Sequence, residues 1–418
     1  MSASAITPER TVTNCRMCES GSLEELLDLG HMPPSDNFLT KEDLERSETY
    51  YPLKLLFCAD CGLAQLSYVV PPEILFSDAY PYESSTSQYL RDHFKKMAET
   101  IIDRFGFGES DLAVDIGSNV GVLLGGFKNQ GLQVMGVEPV GHLAAKANAA
   151  GIDTLNAFFS PTTAKDIVSS HGRASVVTGT NVFAHIDDLT SVTNSLMELL
   201  RPDGIFVIEF SHFLDMIRTT EYDHIYHEHL SYISMAPLAR FFSRVGFEVF
   251  DVEEVAMHGV SLRVYSGFPG QHEVTERVER LIKLEADEGI LTFDELLEFS
   301  RKVITKKQEL TNCLVSLKSQ GKRIVGISAP AKGNTLLNYC NITPDILDYL
   351  TEKSDLKIGL LSPGMHIPVV DDDVLKEDQP DYGMLMAWNL RDEIIKNLGF
   401  FKERGGRFLV PMPTLEIV

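Results

Sequence analysis

At 418 residues the chain is too long for one comfortable hydrophobic core, and two or three domains are expected. Its 44% hydrophobic and 23% charged residues describe a globular protein and exclude a disordered or fibrous one. A formal charge of −23 argues against nucleic acid and anionic membrane surfaces as partners. No apolar run is long enough to span a bilayer, and Met1 to Arg10 lack the apolar core of a secretion signal. A cytoplasmic location is therefore expected.

Residues 1–70 show little helical periodicity but carry two cysteine pairs, Cys15/Cys18 and Cys58/Cys61. Each C-x-x-C turn can supply two thiolates, and four of them close a tetrahedral Zn²⁺ site. Such a site leaves no open position for substrate, so the metal would hold a fold and do no chemistry. A redox pair is the rival. Cys313 and Cys340 stand far away and are expected as packed small side chains.

Residues 71–270 alternate short apolar runs with helical stretches, the pattern of a parallel α/β sheet. Strands are expected at Leu112–Ile116, Gln133–Val137, Ile152–Leu155, Ala174–Thr178 and Gly204–Glu209. Glu248–Val255 and Ser261–Tyr265, with a turn at His258-Gly259, should form an antiparallel edge hairpin. Asp115-Ile116-Gly117-Ser118-Asn119-Val120-Gly121 closes the first of these strands, and its glycines let the backbone turn sharply beside a ligand. Glu138 ends the next strand, where an acid can accept from both ribose hydroxyls. The loop suits a nucleoside cofactor. A dinucleotide is the rival, but Ser118 and Asn119 replace the middle glycine that pyrophosphate needs. S-adenosylmethionine has no phosphate, which favours it. Ala157 and Phe158 after the third strand would edge the adenine, and Asn181 after the fourth would reach the ligand.

Glu221 to His229 is the densest ionisable cluster in the chain and follows the strand ending at Glu209. It could move protons near neutral pH. The His-Glu-x-x-His metal spacing is absent, although His227 and His229 on a strand could share a metal; a solvated loop is the bland alternative. Residues 271–320 are charged and helical and read as a connecting helix pair. Residues 321–418 restart an α/β pattern, with a strand at Arg323–Ser328, a helix at Lys332–Cys340 and strands near Tyr349, Gly383–Met386 and Arg407–Val410. Ala329 to Asn334 opens that helix, where backbone N–H groups and Lys332 could face an anion.

The two cysteine pairs, the Asp115–Gly121 loop, Tyr226-His227-Glu228-His229 and Ala329-Pro330-Ala331-Lys332-Gly333-Asn334-Thr335 together resemble the sugar C-methyltransferase family, in order and over nearly the whole chain. The resemblance implies an N-terminal zinc-binding domain, a central class I S-adenosylmethionine methyltransferase sheet and a C-terminal Rossmann-like α/β domain. It implies a nucleotide-linked keto-deoxysugar as substrate, methylated beside its ketone through an enolate, with C3 of a 4-keto sugar the favoured position. His229 is then the base, assisted by Tyr226 and Glu228, with His185 as a second active-site histidine and Tyr80 as the upstream tyrosine; Tyr82 is the alternative to Tyr80. Tyr82, His227, Lys332 and Asn334 are expected to contact substrate. Ser362 to Pro368 resembles a family turn that usually has threonine where Met365 stands.

Overall fold

The computed structural model describes residues 10–255 and 260–418, so the expected turn at His258-Gly259 lies outside the described residues. The strands in chain order are β1 (Leu23–Met32), β2 (Tyr51–Cys58), β3 (Ala64–Leu66), β4 (Leu112–Ile116), β5 (Gln133–Val137), β6 (Thr154–Leu155), β7 (Ala174–Thr180), β8 (Leu200–Ser211) and β9 (Ser231–Tyr232). They continue with β10 (Glu248–Val255), β11 (Ser261–Gly267), β12 (Ile324–Ile327), β13 (Leu350–Glu352), β14 (Val369–Asp371), β15 (Tyr382–Leu385), β16 (Arg407–Val410) and β17 (Glu416–Ile417).

The central sheet runs β10-β11-β8-β7-β4-β5-β6. Only β11 is antiparallel to its neighbours. All five residues of β4 are buried, as a parallel strand covered on both faces requires. The helix Gln88–Phe105 covers one face with Leu90, Phe94, Met97, Ala98 and Ile101, a helical repeat of apolar positions. It stops at Gly106, whose φ of 69° is a left-handed cap. The winding reverses between β4 and β7, so the ligand crevice of such a sheet lies at their C-terminal ends. The second α/β sheet, β14-β13-β12-β15-β16-β17, reverses between β12 and β15.

The N-terminal cysteine region forms an antiparallel sheet, β1-β2-β3-β9, whose last strand comes from far along the chain. Ala64 pairs with Tyr232 and Gln65 with Ser231. This module does not stand alone. Leu53 and Phe57 share one apolar core with Phe299 and Val303 of the helix Phe293–Ser319 and with Leu336 and Leu350 behind it. Helices Glu276–Asp287 and Phe293–Ser319 are the expected pair. Among the described residues no helix is long and apolar enough to cross a membrane.

Polar contacts fasten the helix Ala331–Cys340 to both other regions. Asn334 Nδ2 donates to the Ser35 carbonyl at 2.7 Å, and Thr335 Oγ1 donates to the Ile225 carbonyl at 3.1 Å. Both side chains are buried. Asn334→Ala should therefore orphan a buried carbonyl and cost about 1–3 kcal/mol, read as a lower midpoint in urea unfolding.

Candidate active site

The cofactor loop is built by strain that glycine removes. Gly117 sits at φ 64° and Gly121 at φ 78°, and a Cβ on Gly117 would lie 2.4 Å from Val182 Cγ2. Asn119 also takes a left-handed φ of 52°, which asparagine tolerates. Its amide donates to Glu138 Oε2 at 2.8 Å, and Val140 N–H donates to Oε1 at 2.8 Å. Glu138 is thus aimed by two backbone amides while burial pushes its pKa up. Asp115, beneath the loop, accepts from Thr178 Oγ1 at 2.6 Å, and burial raises it to about 7. Ser118 is buried, with no hydrogen-bond partner for its hydroxyl. Beyond β6, Ala157 N–H donates to the Glu138 carbonyl, and Phe158 is 42% exposed.

A second cluster lies past β7 and β8. A cavity of about 40 Å³ is lined by Asn181, His185, Phe210, His224, His229 and Tyr232, among others. The His185 and His229 rings stack with centroids 5.1 Å apart. The Tyr226 and His229 ring centroids are 4.0 Å apart. Phe76 stacks on His185 at 5.8 Å, and Tyr80 meets Phe76 edge-on at 5.4 Å. His229 Nδ1 donates to the His224 carbonyl at 2.9 Å. A carbonyl can only accept, so that bond puts the ring proton on Nδ1 and the lone pair on Nε2, the tautomer a base requires. Burial, and then the charge of His229, hold the His185 pKa well below the usual histidine range, so His185 is a neutral ring.

Glu228 turns to the other side of the same segment. It lines a smaller cavity with Tyr80 and Asp36. Neither Glu228 oxygen has a hydrogen-bond partner, and burial followed by the Asp36 charge raises its pKa to about 8. It is a neutral acid at pH 7. Burial, then Glu228 and Asp36, drive the Tyr226 pKa well above its ordinary value, so this phenol keeps its proton.

Not every expected residue arrives. Tyr80 reaches the cluster; Tyr82 is 42% exposed and offers its backbone carbonyl to Asn119 Nδ2. The His227 ring, expected at the substrate, is fully buried edge-on to Tyr51 of β2 and is not among the residues lining the His229 cavity. Lys332 is not available to an anion either. Its Nζ donates to Asn389 at 2.5 Å and lies 4.0 Å from the Trp388 ring, with Asp223 and Glu221 as its counter-charges. Asn334 is consumed by the Ser35 contact. The turn Ser362–Pro368 docks on the N-terminal module, where the Gly364 amide and His366 Nε2 both reach the Glu48 carboxylate at 3.0 Å. Asp36 and Phe76 lie outside every sequence motif, and His224, although inside the Glu221–His229 cluster, had no role assigned; the three reach the two cavities and the ring stack from separate segments.

The four cysteine sulfurs lie within 4.8 Å of one another, with Cys15–Cys61 and Cys18–Cys58 at 3.5 Å. Tetrahedral Zn²⁺ with Zn–S bonds of about 2.3 Å needs sulfurs about 3.8 Å apart, so the donor set fits the metal.

The seven-strand order with one antiparallel strand, the glycine loop and the acid at the next strand end define a class I S-adenosylmethionine-dependent methyltransferase. Family models match in three stretches: a zinc-binding domain at residues 15–76, a methyltransferase domain at 89–252 and a C-methyltransferase C-terminal domain at 256–413. C-methyltransferase NovU of Streptomyces niveus is 33% identical over 410 residues, covering 98% of this chain and 97% of its own. The chain belongs to this family of C-methyltransferases with an N-terminal zinc-binding domain and a characteristic C-terminal domain. Solved structures of similar fold include magnesium protoporphyrin IX methyltransferase ChlM of Synechocystis with bound SAM (13% identity, TM-score 0.31, 42% of this chain and 78% of that one). Another is an S-adenosylmethionine-dependent methyltransferase of Clostridium acetobutylicum (10% identity, TM-score 0.35, 44% and 94%).

Gly117→Ala adds a side chain at a left-handed φ against Val182 and should weaken S-adenosylmethionine binding by about tenfold or more, measured by calorimetry, with the zinc content unchanged.

Proposed function

We propose that the protein methylates a ring carbon beside the ketone of a nucleotide-linked keto-deoxysugar. The observation that carries this reading is the His229 tautomer beside a neutral acid and two protonated phenols. S-adenosylmethionine, held by the Asp115–Gly121 loop with Glu138 on the ribose and Phe158 and Asn181 at its edges, supplies an electrophilic methyl group.

The chain's own residues then prepare the nucleophile. His229 Nε2 takes the proton from the carbon next to the ketone, and the electron pair moves onto the ketone oxygen. Tyr226, beside His229, can donate a hydrogen bond to that oxyanion in a site with little water, where such donors count most, while Glu228 and Tyr80 can donate to substrate oxygens that reach the adjoining cavity. That carbon is the nucleophile for the methyl group that bound S-adenosylmethionine would supply, with the sulfonium sulfur keeping the bonding pair, and the ketone would re-form. His185, neutral and stacked on His229, orients the base. Zinc takes no step, because four thiolates fill its coordination. An alternative with a macromolecular acceptor leaves the buried donor set without a task.

His229→Ala should retain S-adenosylmethionine affinity and lose about 10²–10⁴-fold in turnover. Near-wild-type turnover would sink the base assignment. In D₂O, with the enzyme and a panel of 4-keto sugar nucleotides, mass spectrometry should find deuterium at C3. Label at C5 would move the methylated position to the other flank of the ketone, and no label on any keto-sugar would overturn the reading.

Because Glu228 must be protonated to donate, turnover should fall as pH rises through about 8. Glu228→Gln keeps a donor but no titrating proton, so it should flatten that alkaline limb in a pH profile of turnover.

A further inference from the structure

Arg16 lies between two metal-site cysteines, in Cys15-Arg16-Met17-Cys18, yet its side chain leaves the zinc knuckle. It is only 4% exposed. Nη1 donates to the Leu230 carbonyl at 3.2 Å and to the Leu66 carbonyl at 3.3 Å, and Nε donates to Asp187 Oδ1 at 3.0 Å. Leu230 directly follows His229, and Asp187 stands two residues after His185. The two imidazoles that stack at 5.1 Å thus come from separate segments, and one guanidinium holds the backbone carbonyl just beyond His229 and the Asp187 carboxylate just beyond His185.

The root of this arm is itself fixed. Arg16 N–H donates to Gln65 Oε1 at 2.9 Å, and Gln65 Nε2 donates to the Asn14 carbonyl at 3.2 Å, with Gln65 fully buried. Leu230 O accepts a second bond from Leu66 N–H at 2.9 Å, so the acceptor is fixed as well. A buried guanidinium facing two carbonyls and a single, 59% exposed carboxylate is an expensive way to stabilise a loop. Its planar fork does, however, reach three acceptors in fixed directions, which a flexible ammonium cannot.

We propose that Arg16 is a positioning residue: it ties the zinc knuckle to the Leu230 carbonyl beyond His229 and to the Asp187 carboxylate beyond His185, and sets the spacing of the two rings. The metal then matters to the reaction by fixing where Arg16 begins. This rests on the reading of His185 and His229 as the reactive pair, but its test does not depend on their chemistry.

Hydrogen–deuterium exchange of full-length, zinc-loaded protein is the measurement. Arg16→Gln should speed exchange about tenfold in peptides covering 183–188 and 226–232, and leave the loop peptide 113–121 at its wild-type rate. Asp187→Asn should loosen 183–188 alone. Chelation of zinc should reproduce the two-segment pattern of Arg16→Gln. Where Arg16→Gln does not fold, Arg16→Lys, which keeps one contact, should show the same pattern at smaller amplitude.

Wild-type exchange at both segments in the Arg16 variant overturns the proposal, and so does an increase that includes 113–121. Loosening of both segments by Asp187→Asn overturns it too. The two-segment pattern with lower turnover and unchanged S-adenosylmethionine affinity supports it. The same pattern with normal turnover supports the tether and overturns the catalytic role of the ring pair instead.

Discussion

Residues 221–232 are gripped at both ends by other parts of the molecule, and the reactive turn depends on that grip. At one end Trp388 Nε1 donates to Asp223 at 2.7 Å and the Ile225 carbonyl accepts from Thr335. At the other, Ser231 and Tyr232 become the fourth strand of the zinc module's sheet. The turn from Tyr226 to His229 is suspended between these anchors. A turn of that length has too few contacts of its own to hold an imidazole and a carboxyl in fixed directions. Two distant anchors do so without enclosing the rings on the substrate side.

This arrangement gives the outer domains their roles. In a doubly wound sheet the crevice at the switch point is where a ligand ordinarily binds. In the C-terminal sheet that point lies between β12 and β15, and Lys332 and Trp388, just past those strands, turn to Asp223. The crevice receives a segment of the same chain. The zinc module is equally dependent, since its apolar face completes the core under the helix Phe293–Ser319. A small module with three short strands of its own gains rigidity from metal ligation and from that shared core.

The same geometry separates two kinds of proton chemistry. His229 is anchored through Nδ1 and keeps a basic Nε2, whereas Glu228, one residue earlier, is buried against Asp36 and stays protonated. A base and an acid of opposite readiness at neutral pH are thereby placed on adjacent residues. The two side chains enter different cavities, and burial beside Asp36 is what raises the Glu228 pKa.

Much of this was legible in the chain. β4 and β5 begin and end where apolar alternation and the turn residues place them, and the hairpin of β10 and β11 is antiparallel as read, because these signals are local. Gly117, Gly121 and Glu138 follow from backbone strain and register alone, and the four cysteines follow from spacing. Lys332 and Asn334 were readable only as the start of a helix; that their partners are Asp223, Trp388 and Ser35 depends on packing over 100 residues or more of sequence separation. His227 and His229 look equivalent in one dimension, and only the turn sends one into the core and the other into the cavity. Asp36 belongs to no motif, and Arg16, although inside the first C-x-x-C, carries no sequence signal of its distant partners Leu230 and Asp187. The sequence by itself determined the sheet, the cofactor loop and the metal ligands, since each rests on contacts between near neighbours or on covalent spacing. Which histidine faces the cavity, which acid is buried without a charge partner and what the outer domains grip were decided by the tertiary structure, because burial and long-range hydrogen bonds are properties of the packed chain.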